Sequence, residues 1–228
     1  MTAIAIFVKT PGLSPVKSRL AAAVGARRAE ACHLRCARTV AAVALAAEVG
    51  PVYWAIAEEG ALGHPLWQDL PVLVQPEGGL GARMHAIHDL LIQRHGRGLL
   101  LGADLPQVDR NALQSASSWL DGEADRGVIG PALDGGFWLI GANRTLPAAL
   151  WHRPAYGTET VLDQFLDAAG ASLKWRWLAR RCDLDHIGDL PGVIEELETL
   201  SCPHPDQRGL IDWLRCHLSN LPWSSATE

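Results

Sequence analysis

The sequence predicts an α/β sandwich built on a mainly parallel sheet, with at least one strand running against the others. Two observations carry that prediction. Short apolar runs alternate with helix-length patterns almost throughout the chain. A Gly135-Gly136 turn then leads straight from one apolar run into the next, which brings in a strand of opposite direction. At 228 residues the chain can bury a sizeable core, and one main domain is expected.

The elements follow in order. Residues 3–8, Ala-Ile-Ala-Ile-Phe-Val, read as a buried strand. A Pro11-Gly12 turn follows, then an Ala-rich helix over 15–47, interrupted near Gly25. Strands are expected at 52–56 and 72–74. The pattern over 82–95 places Met84, Ile87 and Leu91 on one helical face. Next come a strand at 99–103, a helix at 109–120 with Asp109 as its N-cap, and strands at 127–131 and 137–141. A helix at 158–169, a strand at 174–178 and a helix at 191–200 complete the domain, residues 1–200. Residues 201–228 form an extension. Its helix, 207–218, carries Leu210, Ile211, Trp213, Leu214 and Leu218 and is expected to pack on the same domain, with a homodimer contact as the alternative.

Composition excludes several classes. Hydrophobic residues make up 48% and charged residues 20%, ordinary for a folded protein. A net charge of −5 argues against general nucleic-acid binding, which needs a concentrated basic surface. No stretch approaches the roughly 20 apolar residues of a membrane span. The N-terminal apolar run is too short, and lacks the preceding basic residue, for a signal peptide. The five scattered cysteines read as reduced thiols of a cytoplasmic protein.

The chemistry gathers where apolar runs end, the edge at which open α/β sheets bind ligands. Behind the first run stand Lys9, Lys17 and Arg19, three cations able to reach phosphate oxygens. The loop is not a Walker A motif, because Pro11 and Val16 stand where glycines are needed. Met84 breaks the one near match to a dinucleotide fingerprint. Behind Leu99-Leu100-Leu101-Gly102-Ala103 stands Asp104, a carboxylate whose desolvation demands a cation or hydrogen bonds. An oxygen ligand set suits Mg²⁺ or Mn²⁺. A helix N-cap is the alternative role for Asp104. In Gly130–Trp138, glycines after Asp134 allow close backbone approach, and Phe137 and Trp138 are expected to shape a pocket wall; a tight turn explains the glycines alone. Gly78-Gly79 opens a helix carrying Arg83, and the run Asp183-Leu184-Asp185 offers late carboxylates for a metal shell or an acidic turn. His85 and His88 read as exposed or partly buried, without a metal motif.

Taken together, Lys9-Thr10-Pro11, Val16-Lys17-Ser18-Arg19-Leu20, Gly81-Ala82-Arg83-Met84, Gly102-Ala103-Asp104-Leu105-Pro106, residues 130–141 and Asp183-Leu184-Asp185 with Asp189-Leu190 resemble, in order, a bacterial family of nucleotide-diphospho-sugar transferase-like proteins. That family is often labelled radical-SAM/selenodomain-associated transferase, or glycosyltransferase of GT-A type. The resemblance implies a three-layer, Rossmann-like GT-A sandwich, related to molybdenum-cofactor and phospholactate nucleotidyltransferases. It also implies a site in which Val8, Lys9, Pro11, Gly12, Lys17, Arg19, Gly81, Arg83 and Ala103 bind the nucleotide. Asp104 and Asp185 would ligate Mg²⁺ or Mn²⁺, and Asp104 and Asp134 would be catalytic, with Asp134 facing the acceptor. Ala103 and Leu105 depart from the Thr and Cys usual beside the metal Asp, Ser18 replaces Thr, and Gly79 stands where relatives often carry an acidic or polar residue.

The function expected is a metal-dependent transferase using a nucleotide-diphosphate sugar and a small-molecule acceptor. The alternatives are a nucleotidyltransferase that joins an NTP to a phosphorylated acceptor and releases pyrophosphate, and a non-catalytic nucleotide-binding or scaffold protein.

Overall fold

A computed structural model describes residues 1–170 and 173–218; the end of the extension, from 219 on, lies outside the described residues. Seven strands form one sheet: β1 (Ala3–Val8), β2 (Val52–Ile56), β3 (Val72–Val74), β4 (Gly98–Gly102), β5 (Arg126–Pro131), β6 (Phe137–Ala142) and β7 (Lys174–Trp177). Their spatial order is β3-β2-β1-β4-β6-β5-β7. β1 pairs in parallel with β2 and β4, β2 with β3, and β5 with β7, whereas β6 is antiparallel to both β4 and β5. The reversal predicted at Gly135-Gly136 is therefore β6.

Alternation along the strands produces two cores. Ile4, Ile6 and Val8 of β1, with Leu99 and Leu101 of β4, face one layer. Ala3, Ala5 and Leu100 face the other. This is the period-2 consequence of a strand covered on both sides. The first layer holds α2 (Ala26–Ala46) and α4 (Arg110–Leu120), the latter capped as predicted by Asp109, whose carboxylate accepts from the Ala112 N–H at 2.8 Å. The second layer holds α3 (Leu80–His95), α5 (Ala148–His152) and α6 (Val161–Ala169).

A third cluster lies outside the sandwich. Leu20 and Val24 of α1 (Ser18–Val24) and Cys32 and Cys36 of α2 pack with residues of α7 (Leu190–Glu198) and α8 (Pro205–His217). Leu210 and Leu214 of α8, with Leu218 just after it, are at most 2% exposed, each burial contributing about 1.5–3 kcal/mol gross. Gln207 donates to the carbonyls of Pro106 and Val108, both at 2.8 Å, and so ties α8 to the turn behind β4.

The predicted long N-terminal helix divides at Gly25, which has φ 85°, and it begins at Ser18 instead of 15 because Lys17 adopts the left-handed conformation. The short α5 escaped the sequence pattern: five residues between Pro147 and Pro154 are too few to show a period. His88 is a correction. It is fully buried on the same face of α3 as Met84 and Leu91, and burial pushes its pKa down to about 3, so the ring is neutral. The one-face spacing that selected Met84, Ile87 and Leu91 includes position 88 as well. Among the described residues no helix is long and apolar enough to cross a membrane.

Candidate active site

The carboxyl ends of four adjacent parallel strands open on a cleft of about 770 Å³. Each strand delivers one residue to it just past its end: Lys9 after β1, Ala57 after β2, Gln75 after β3 and Asp104 after β4. The loop between β1 and α1 adds Lys17, the first turn of α1 adds Arg19, and the start of α3 adds Leu80 and Arg83. Asp134 and Asp185 complete the lining. Residues as far apart in sequence as Phe7 and Asp185 thus meet in one place.

At its centre is an ion pair. The Lys17 side chain is only 2% exposed, and its Nζ lies 2.6 Å from Asp104 Oδ1 and 3.8 Å from Asp185 Oδ1. The same ammonium donates to the Leu184 carbonyl at 2.6 Å. Burial, the largest single influence, would lower the Lys17 pKa, but the Asp104 charge and hydrogen bond, together with Cys36 and Cys32, outweigh it and raise it above the ordinary lysine value. Burial would likewise raise Asp104; Lys17, and then His33, hold its carboxyl well below the usual range instead. Lys17 reaches this position from a backbone at φ 44° and ψ 48°, a conformation costing a non-glycine residue roughly 1–2 kcal/mol.

The loop carrying these cations is tied from three sides. The Thr10 N–H donates to Glu58 Oε2 at 3.0 Å, and Trp67 Nε1 donates to Thr10 Oγ1 at 3.0 Å. His33, on α2, bonds the Lys9 carbonyl through Nε2 at 2.9 Å; since a carbonyl only accepts, this nitrogen carries the proton. Its Nδ1 faces Asp104 at 3.7 Å. His33 was not singled out in the sequence, although a histidine in the buried stripe Ala29, Cys32, Cys36, Val40 was a visible signal. Gln75 also escaped notice; like Asp104, it is a polar residue directly behind an apolar strand.

Carboxylates crowd the site. Asp183 is pushed up to about 8 by burial and by the neighbouring charges of Asp134, Asp104 and Asp185, and its Oδ1 is buried without a hydrogen-bond partner. Asp185 is raised by burial and by Asp104. Such all-oxygen donors fit Mg²⁺ or Mn²⁺. Among the described residues no three ligating side chains form a closed cage.

The remaining sequence-predicted residues divide. Lys9 and Arg19 are exposed and Arg83 is partly so; no described carboxylate pairs with any of the three. Arg83 Nε donates to the Gly78 carbonyl at 2.9 Å, which holds its stem while its terminal nitrogens stay available. Val8 lines the cleft, but Pro11, Gly12 and Ala103 do not, and Ala103 is buried in the first core layer. Gly81 faces away: a Cβ there would collide with the Trp151 carbonyl and the Tyr156 ring, so its bareness lets α3 pack against α5. Asp134 lines the cleft, exposed, with its Oδ1 accepting from the Gly136 N–H at 3.0 Å in a tight turn. The expectation that Phe137 and Trp138 form a pocket wall is corrected. Phe137 packs on Phe165 in the second core layer, and Trp138 covers Gly130 and donates to the Ala179 carbonyl. Strand β6 turns both rings into the sandwich. Asp189 caps the final turn, accepting from the Asp185 and His186 N–H groups.

The strand order and the one reversed strand among the described residues make a three-layer, Rossmann-like sandwich of the GT-A type. Residues 34–158 match the family described as uncharacterized protein conserved in bacteria (DUF2064), and the chain belongs to that family. No curated protein sequence matches it significantly. Among solved structures, a protein of Desulfovibrio desulfuricans G20 assigned as a nucleotide-diphospho-sugar transferase is similar, with 22% identity and a TM-score of 0.82 over 96% of each chain. A nucleotidyl transferase from Methanothermobacter thermautotrophicus superposes with a TM-score of 0.53 at 16% identity, covering 88% of this chain and 99% of its own. The CMP:2-keto-3-deoxy-manno-octonic acid synthetase in complex with CTP gives 0.51 at 13% identity, with 84% and 96% covered.

Proposed function

We propose that this protein is a metal-dependent transferase that moves a sugar from a nucleotide-diphosphate sugar to a small-molecule acceptor. One observation carries the reading: three cations without carboxylate partners among the described residues, Lys9, Arg19 and Arg83, line the same cleft as the Lys17–Asp104–Asp185 cluster. The likeness to a solved protein assigned as a nucleotide-diphospho-sugar transferase supports it.

In this mechanism Lys9, Arg19 and Arg83 bind the donor diphosphate and offset the charge that grows as it leaves. Asp104 and Asp185 would hold Mg²⁺ or Mn²⁺, which when bound supplies Lewis-acid stabilisation of the leaving phosphate oxygens. Lys17 keeps the carboxylates in place from within the protein. Asp134 uses Oδ1 for its turn and has Oδ2 left to take the acceptor hydroxyl proton. The bond from the sugar's anomeric carbon to the diphosphate oxygen breaks, a bond to the acceptor oxygen forms, and the nucleoside diphosphate departs.

The test is a product assay over a panel of nucleotide sugars and small acceptors with Mg²⁺ or Mn²⁺, read as nucleoside diphosphate release. Asp104→Ala should abolish metal-dependent donor binding in calorimetry; unchanged binding would sink the mechanism. Nucleotidyl transfer is the second reading, favoured by the two nucleotidyl-transferring proteins of this fold. It predicts pyrophosphate release from an NTP instead.

A further inference from the structure

We infer that Gln207, on the C-terminal helix α8, is a positioning residue that fixes the spacing of the Asp104 and Asp185 carboxylates. The inference deepens the proposed function and rests on a divalent metal bound by that pair. Gln207 is only 1% exposed, and both the nitrogen and the oxygen of its amide have partners. Nε2 donates to the carbonyls of Pro106 and Val108, both at 2.8 Å, and Oε1 accepts from the His204 N–H at 2.8 Å. Carbonyls only accept, so the amide has one orientation and cannot flip. Packing α8 on the domain does not call for an amide here. Leu210, Leu214 and Leu218 already bury that helix, and an apolar side chain at 207 would avoid the cost of desolvating polar atoms. What the amide adds is direction: it grips a turn 99 to 101 positions earlier in the chain.

That turn supports Asp104. Residues 105–108 follow it directly and close with the Val108 N–H on the Leu105 carbonyl at 3.2 Å. From within the turn Gln107, fully buried, donates to the Cys182 carbonyl at 2.6 Å. The Asp104 carbonyl accepts from the Leu184 N–H at 3.1 Å, and Lys17 bonds the Leu184 carbonyl. Segments 104–108 and 182–185 are thus stitched together directly, and Gln207 holds the first of them from behind. The two carboxylates leave from backbones fixed relative to each other. Hydrogen bonds of this kind, one step behind the ligands, set how well carboxylates hold a metal. Helix α8 lies outside residues 34–158, the stretch that carries the family match, and Gln207 gives this extension a part in the site.

Isothermal calorimetry with Mn²⁺ and lysine labelling test this. Gln207→Met removes both donors at nearly unchanged size and should weaken Mn²⁺ binding by about tenfold, the lower end for a partner one step behind a metal ligand. Pyrophosphate binding without metal, assigned to Lys9, Arg19 and Arg83, should stay within about twofold. Leu214→Ala on the same helix is the control for stability alone. It opens a cavity and lowers the thermal midpoint, yet should leave Mn²⁺ affinity within about twofold. The second readout needs no metal. The chain has three lysines, and the exposed Lys9 and Lys174 are internal references for the buried Lys17. Loosening the Asp104 turn should speed acetylation of Lys17 by acetic anhydride in Gln207→Met, read by mass spectrometry, and not in Leu214→Ala. Mn²⁺ affinity that is unchanged in Gln207→Met, or that falls equally in both variants, would overturn the inference. A wild-type protein that binds no Mn²⁺ would overturn the metal reading of the cleft, and Lys17 labelling unchanged in Gln207→Met would then overturn the positioning role as well. Where Gln207→Met does not fold, Gln207→Glu keeps the oxygen that accepts from His204, lacks the donors, and carries the same expectations.

Discussion

The two walls of the cleft are built differently. On the wall formed by β1, β2 and β4, the buried polar groups Lys17 and Thr10 are each held more than once. Lys17 sits 2% exposed between Asp104, Asp185 and the Leu184 carbonyl, and Thr10 is gripped from both Glu58 and Trp67. On the wall behind β5, Asp134 is exposed and makes one bond to its own turn. Preorganised charge suits a diphosphate, whose developing charge must meet dipoles and cations that need not rearrange. An exposed carboxylate on a glycine turn suits an acceptor that must enter and leave. On the proposed function, the buried and tied wall would be the donor side and the exposed one the acceptor side.

The largest effect should come from breaking the tied wall. Asp104→Leu strands the Lys17 ammonium in the interior and should cost about 3 kcal/mol, the lower end for a broken buried pair. The lower end applies because Asp104 is itself 38% exposed and Asp185 remains 3.8 Å away. Turnover should fall by about 10³-fold. Adding Lys17→Met should return most of the stability, measured by thermal unfolding, while activity stays lost. A double variant that regains activity would show the pair to be structural only.

Next in size is the open wall. Asp134→Asn keeps an oxygen for the Gly136 N–H, so the turn persists, but it removes the base. kcat should fall by about 10²-fold with donor affinity unchanged in calorimetry. Unchanged kcat would leave Asp134 as a turn residue and make the acceptor side purely geometric.

The smallest effect concerns protons. The folded protein retains the Asp183 proton up to about pH 8, whereas the ordinary value is 3.8. Between these the folded state binds more protons than the unfolded chain, so this group's contribution to stability is fully present below about pH 4 and is lost as pH rises towards 8. Asp104 works the opposite way: its depressed pKa contributes stability above the ordinary carboxyl range, lost only as pH falls through strongly acid values. In metal-free protein, scans from pH 5 to 8 should show a falling thermal midpoint. Asp183→Asn should flatten that fall by about 2–4 °C, and added Mg²⁺ should do the same to the parent. A flat profile in the metal-free parent would refute the coupling among the four carboxylates.

Much of this was legible in advance. The apolar runs, the break at Gly25, the Asp109 cap and the reversal after Gly135-Gly136 follow from local periodicity and turn chemistry, which act over a few residues and leave their mark in the chain. Lys9, Arg19, Arg83, Asp104, Asp134 and Asp185 were identifiable as charged residues placed at the ends of apolar runs or beside glycines, and the fold brings all of them to one cleft. What linear spacing could not supply was which of them touch. That Lys17 turns inward to Asp104 depends on a left-handed backbone at position 17 and on Leu184 arriving from 167 residues away. That Gly81 serves packing depends on where Trp151 lies, and that Phe137 and Trp138 face the core depends on the direction of β6. His33 gains its meaning from the packing of α2, which sets it beside Lys9 and Asp104, and Gln75 from the strand order that brings the end of β3 to the same cleft. Local sequence encodes elements and candidate charges; pairing, burial and direction come from contacts between distant segments, whose energies exist only once the sheet has formed.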